Sequence, residues 1–318
     1  MSVAETMPAA SANVSGGPRV ARGLAERWRG WGPMVVAPIA FVALAPATWP
    51  HWACMWGIAF AIYFGAKWLT WRRPVQPRVS AARSFGYLVA WPGLDAVAFL
   101  EPRDAKSCEQ VAAPSRGEWS FAAFKLALGA TIFFGLARLA PVVELPYLTG
   151  WIGMIGLVLM LHFGLFHLLS CAWRRAGVDA APLMDWPIAA TSMSEFWGRR
   201  WNRAFRDLAH RFLFRPLTPR LGAAGAMVAG FAFSGVVHDV VMSWPAAGGY
   251  GGPTVFFLIQ AAGMLVERSR VGRRCGLGAG WRGWLFAATL LLATSPLLFH
   301  PPFVLRVIVP FMHAVGAL

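Results

Sequence analysis

Three stretches of the chain run long without charge: 30–66 is uncharged between Arg29 and Lys67, 145–173 is uncharged, and 221–266 carries only His238 and Asp239. Each exceeds the ~20 apolar residues that a helix needs to cross a bilayer. Punctuation divides the runs further. Trp49-Pro50-His51 interrupts the first, and proline both ends one helix and suits the start of the next, so a hairpin of spans at 33–50 and 52–70 is predicted. Further spans are predicted at 119–140, 147–172, 221–244, 254–266, 283–299 and 302–317, the last pair separated by His300-Pro301-Pro302. Segment 85–100, broken by Trp91-Pro92-Gly93-Leu94-Asp95, reads as re-entrant or interfacial. The predicted fold class is an all-α integral membrane protein, with about eight transmembrane helices plus re-entrant and interfacial helices. Residues 1–32 form a cytosolic tail and 33–318 a membrane-embedded domain whose core motifs occupy 185–245.

Composition agrees: 57% of residues are hydrophobic and 14% charged, against about 25% charged in soluble domains. A soluble enzyme is excluded. The net charge of +15 would suggest nucleic acid in a soluble protein. Here the basic residues cluster between apolar runs, at 19–29, 67–83, 174–175, 199–220 and 268–282. With a cytosolic N-terminus and eight spans, every cluster falls on the cytosolic side, so the charge marks topology. No nucleic-acid partner is implied. Only three of the 29 basic residues are lysine, and Ala, Gly and Trp are abundant, which points to a bacterial source and its inner membrane. Cys54, Cys108, Cys171 and Cys275 lie far apart and suggest neither disulfides nor zinc. No histidine has a carboxylate at metal-ligand spacing in the chain, so no metal is expected.

Two segments carry candidate chemistry. His238 sits within an apolar helix, where an ionisable side chain is a functional candidate by default. Ser234 lies one helical turn before it, which makes a nucleophile–base pair conceivable and a close-packing Ser-Gly pair the plainer alternative. Asp239 points about 100° away and suits a capping or orienting role. The second segment, Ser194-Glu195-Phe196-Trp197-Gly198-Arg199-Arg200-Trp201-Asn202-Arg203-Ala204-Phe205-Arg206, reads as an amphipathic interfacial helix, Phe196, Trp197, Trp201 and Phe205 on one sector and Arg199, Arg203 and Arg206 on another, and His210 follows in a basic surface stretch. Asn202 is the discordant amide, able to donate and to accept.

The run from Thr191 to Asn202, followed by Phe233-Ser234-Gly235-Val236-Val237-His238-Asp239, resembles the wax synthase branch of the membrane-bound O-acyltransferase superfamily in motif and spacing. Trp91-Pro92-Gly93-Leu94-Asp95 resembles an element of the same branch. The resemblance covers most of 85–300. It implies a helix bundle around an internal tunnel in which acyl-CoA, a co-substrate with no permanently bound cofactor beside it, meets a lipophilic alcohol. His238 then matches the catalytic histidine, a general base for the hydroxyl, and Asn202 its partner, orienting the imidazole or stabilising the oxyanion. Arg199, Arg200 and Arg203 suit CoA phosphates, and Trp197 and Trp201 could wall the tunnel or stack on adenine; Glu195 and Phe196 are further candidates. Fatty alcohol is the resemblance-led acceptor. Diacylglycerol, a sterol-like lipid, a secondary-metabolite hydroxyl and an acetyl-CoA donor stay open, and a non-enzymatic transporter or lipid-binding protein is the competing class.

Overall fold

The computed structural model describes residues 30–72, 79–100 and 112–318, and the expected tail therefore lies almost wholly outside the described residues. Those described are helical, with no strand among them. The proline-marked hairpin is present: α1 (Gly32–Leu44) packs on α2 (His51–Trp71), and Pro50 stands at the cap position of α2. Pro92 disfavours helix at Trp91, so α3 (Ala81–Ala90) stops there, and Asp95 restarts the chain as α4 (Ala96–Leu100) by accepting from the N–H groups of Val97 (3.1 Å) and Ala98 (3.2 Å). The broken segment between them has a further use. Lys67, wholly buried on α2, donates to the Gly93 carbonyl and lies 3.7 Å from the centre of the Tyr87 ring.

Helices α5 (Arg116–Leu139) and α6 (Pro146–Arg175) run backbone against backbone: a Cβ at Gly156 would fall 2.7 Å from the Phe133 nitrogen and 2.9 Å from the Gly129 carbonyl. Such contact through small residues is how helices associate without a hydrophobic drive between them. After a connector at 176–202 comes α7 (Arg203–Ala246), 44 residues long. As one straight helix it would reach ~66 Å, twice the hydrocarbon core. It is broken at Gly222, whose φ of +67° only glycine adopts freely, into two arms. Helix α8 (Gly252–Arg268) packs extensively along the second arm. The short α9 (Arg270–Arg274) precedes α10 (Gly280–Leu298), which bends by 62° into α11 (Pro301–Ala314).

Three helices, α5, α6 and α7, are long and apolar enough to cross a membrane, or four if the bent pair α10 and α11 is one span. The expectation of eight is met only in part, for physical reasons. With 13 residues α1 reaches ~20 Å, α8 has 17 residues, and α2 has the length but carries four tryptophans, His51 and Lys67. Neither α3 nor α4 is long enough to cross. Packing centres on three buried clusters: Leu69, Tyr87, Phe99 and Leu208; Phe133, Met242, Val304 and Met312; and Met193, Met227, Met264 and Ala287.

Candidate active site

The connector is built to present one residue. Ser192 caps a helical turn, Met193–Glu195, by accepting from the Glu195 N–H (2.9 Å), and buried Glu267 of α8 accepts from the Met193 N–H (2.6 Å). A π-helical turn, Phe196–Arg200, follows and ends at extended Trp201. The chain on either side of Asn202 is then held: the Asp185 N–H donates to the Arg200 carbonyl (2.8 Å) and the Arg203 N–H to that of Leu183 (3.0 Å). Asn202 itself adopts φ +42°, ψ +65°, the left-handed region that asparagine tolerates better than most side chains. Its Oδ1 accepts from the Phe205 N–H (3.2 Å), capping α7. With the carbonyl so engaged, the Nδ2 amide keeps its two donors, and no protein acceptor meets them among the described residues.

His238 stands on the second arm of α7. Its Nδ1 lies 2.6 Å from the Ser234 carbonyl oxygen. A carbonyl only accepts, so Nδ1 carries the proton and the neutral ring leaves Nε2 free to accept. The ring packs against Phe257 of α8 at 4.6 Å between centroids. Asn202 and His238 line the same cavity, of about 410 Å³, within the range of small-molecule sites. One wall follows the first arm of α7 through Asn202, Arg206 and His210; the facing wall follows the second through Ala226, Gly230, Ser234 and His238. Both sets recur every fourth residue, a single face of each arm. Trp197, Trp201 and Phe257 add an aromatic side, and Tyr63 and Leu94 close it from α2 and the broken segment. The Trp197 indole N–H is buried and meets no acceptor among the described residues.

The other sequence candidates divide. Trp197, Trp201 and Ser234 line the cavity, but it is the Ser234 backbone carbonyl, not its hydroxyl, that meets His238. Phe196 is behind the wall, stacked on Trp201 at 5.6 Å. The single amphipathic helix expected over 194–206 is instead broken at Trp201 and Asn202, because capping and the left-handed turn compete with helix there. Arg199, Arg200 and Arg203 do not line the cavity. Arg199 and Arg200 pair with Glu195, and Arg203 with Asp185 (2.9 Å), leaving Arg199 the most exposed of the three at 60%. The same Glu195 accepts from the Thr191 N–H (2.7 Å) and hydroxyl (2.9 Å). Those bonds, the backbone one foremost, with the two guanidinium groups hold its carboxyl down at about 2. Asp239 turns away from the cavity to tie α7 to the start of α8, accepting from the Gly251 N–H (2.8 Å), the Ser243 hydroxyl (2.9 Å), the Thr254 N–H (3.1 Å) and the Thr254 hydroxyl.

Arg206 and His210, which in sequence belong to the arginine sector of the helix and to a basic surface stretch, line the cavity instead; their spacing from Asn202 is the available signal. Sequence reading missed the carboxylate partner of His167, whose Nε2 is 3.0 Å from Glu118 on α5, 49 positions away. With Cys171 these groups lie within 4.8 Å of one another, a spacing open to a metal ion. Lys125 on His167 (2.8 Å) and Arg174 on Glu118 already supply the positive charge, and the cluster is an ion-pair network tying α5 to α6.

Residues 180–259, which include both Asn202 and His238, match the model of the membrane bound O-acyl transferase family. Over 72 residues, 20% of each chain, the sequence is 39% identical to a long-chain-alcohol O-fatty-acyltransferase of Simmondsia chinensis. It is 29% identical over 139 residues to the probable long-chain-alcohol O-fatty-acyltransferase 7 of Arabidopsis thaliana, 39% of this chain and 40% of that one. With the probable enzyme 2 of the same plant it shares 36% identity over 73 residues. The chain matches between a fifth and two fifths of the length of these curated relatives. The resemblance to the wax synthase branch is borne out by these matches.

Proposed function

We propose that this chain, related through its central segment to the membrane-bound O-acyltransferases, transfers a fatty acyl group from acyl-CoA to the hydroxyl of a lipophilic alcohol inside the membrane. The observation that carries the reading is the Nδ1 bond of His238 to the Ser234 carbonyl, which fixes the tautomer with a basic Nε2 in a cavity that Asn202 shares. A hydroxyl is a weak nucleophile until its proton has somewhere to go. His238 Nε2 takes that proton as the alcohol oxygen attacks the thioester carbonyl. The imidazolium formed is stabilised by its retained Nδ1–H bond. Negative charge gathers on the carbonyl oxygen, and the Nδ2 donors of Asn202 stabilise it. The C–S bond then breaks, His238 returns the proton to the departing thiolate, and ester and free CoA leave. No acyl-enzyme is formed, because the thioester is already activated.

The exposed Arg199 at the connector is the guanidinium best placed in this reading to meet a CoA phosphate, with Arg200 and Arg203 fixed beside it by their carboxylates. The chain resides in a bacterial inner membrane with its N-terminus cytosolic, which puts the basic clusters and the CoA-binding side together.

The test is ester formation by purified protein in detergent, from labelled acyl-CoA and a panel of fatty alcohols, sterols and diacylglycerol. The wild type forms ester with fatty alcohol, and His238→Ala lowers the rate by about 10²–10⁴, the usual contribution of a general base. Equal activity in the two overturns the mechanism. Ser234→Ala keeps the backbone carbonyl and so keeps activity. A loss matching that of His238→Ala, with label trapped on the protein, points instead to an acyl-serine.

A further inference from the structure

The chemistry above uses only one end of the cavity. Along the second arm of α7 the wall descends from His238 through Ser234 and Gly230 to Ala226, one residue per turn on a single face. Gly230 is the one member of that row with no side chain. A Cβ built there would meet no heavy atom within 4 Å. Its neighbour Gly235 is different in kind: a Cβ at 235 would strike the backbone of Thr254, so packing against α8 demands glycine there. Nothing in the packing demands it at 230, where the backbone is ordinary helix and glycine is about 1 kcal/mol worse than alanine. The space that the missing side chain leaves belongs to the cavity. Around it the lining is apolar, with Met227, Phe231, Phe214 and Met264, and methionines adapt to chains of varied shape. Eight residues of helix separate Gly230 from His238, ~12 Å of axial rise.

We infer that Gly230 is the length gauge of the cavity. An aliphatic chain whose reacting end lies at His238 runs along α7, passes Gly230 about 12 Å away, and continues toward Met227 and Met264; a side chain at 230 stops it there. This rests on the acyl-transfer reading above and specifies which part of the cavity selects the substrate. Acyl donor and alcohol acceptor both bring an aliphatic chain, and the experiment tells them apart.

Gly230→Ala, Gly230→Leu and Gly230→Phe are assayed with two panels: saturated acyl-CoAs from octanoyl to stearoyl against one alcohol, and alcohols from octanol to octadecanol against one acyl-CoA. In one panel Gly230→Leu retains kcat/KM for chains that end before position 230 and loses about fourfold for each methylene denied its place beyond it. Gly230→Phe truncates at least as sharply, and Gly230→Ala falls between wild type and leucine. The panel that shifts identifies the chain. Gly135→Leu, on an exposed face of α5 away from the cavity, leaves both profiles unchanged. Wild-type profiles in both panels for an active Gly230→Leu overturn the proposal. If Gly230→Leu is inactive at every length, Gly230→Ala decides: its optimum shortens, or the gauge is wrong. Should the wild type form no ester from any pair, the acyl-transfer reading fails by itself. The gauge is then read from binding of free fatty acids of the same lengths, where Gly230→Leu must still weaken the longest most.

Discussion

Asn202→Asp separates the observed helix cap from the donor role proposed for the same side chain. The carboxylate keeps an oxygen for the Phe205 N–H, caps a helix as well as asparagine does, and tolerates the left-handed backbone at φ +42°. It removes the Nδ2 donors. Stability should therefore stay within ~0.5 kcal/mol of wild type. Losing one oxyanion donor costs about 10²–10³ in kcat, and a negative charge beside the developing oxyanion adds to that loss. Asn202→Gly and Asn202→Ala complete the series. Glycine accepts the backbone and costs a few tenths of a kcal/mol as a cap. Alanine loses the cap, ~1 kcal/mol, and strains the left-handed turn by a further ~1–2 kcal/mol. The expected stability order is wild type and aspartate, then glycine, then alanine, while all three variants lose kcat to a similar degree. The assay pairs thermal unfolding in detergent with initial rates of ester formation. Aspartate with wild-type kcat refutes the donor role and reduces Asn202 to a helix cap; a kcat that tracks stability across the series does the same.

Two further expectations follow from the polar anchors. Asp239→Ala takes the acceptor from the Thr254 N–H and hydroxyl at the junction of α7 and α8, while the Ser243 hydroxyl keeps the Gly249 carbonyl and His300; at ~1–3 kcal/mol for each donor left unsatisfied, at least ~2 kcal/mol of stability should be lost, and a midpoint of thermal unfolding near wild type removes the anchor role. Glu195 has a depressed carboxyl pKa of about 2 in the folded chain, so its contribution is complete above the unfolded value of about 4.3 and disappears as pH falls through the folded one. Glu195→Gln should thus be less stable than wild type at neutral pH and lose less on acidification over that interval, which unfolding of both proteins across the acid range checks; parallel curves contradict it.

Much of the architecture was legible in the sequence because burial and punctuation are local properties. Pro50 stands where one helix starts and Pro92 just past where another ends, and the uncharged runs are helices. Span number was not legible, because crossing depends on uninterrupted length and on bends. The 62° turn at His300 and the break at Gly222 depend on backbone angles that hydropathy does not encode. At the site, the motif drew attention to Asn202 and His238, and the cavity joins them. Arg199, Arg200 and Arg203 were natural phosphate ligands by type, yet Glu195 and Asp185 engage them, and only the folded connector brings Asp185 beside residues 18 positions later. The Glu118–His167 contact spans two helices and has no signature in one dimension.

The break at Gly222 sets Asn202 and His238 at arms of one continuous helical segment, 36 residues apart in the chain. The oxyanion donor and the base of the proposed reaction are thus related through a hinge at one residue. In the proposed reaction the two groups form one short cassette, and both fall within residues 180–259, the segment that matches the family model.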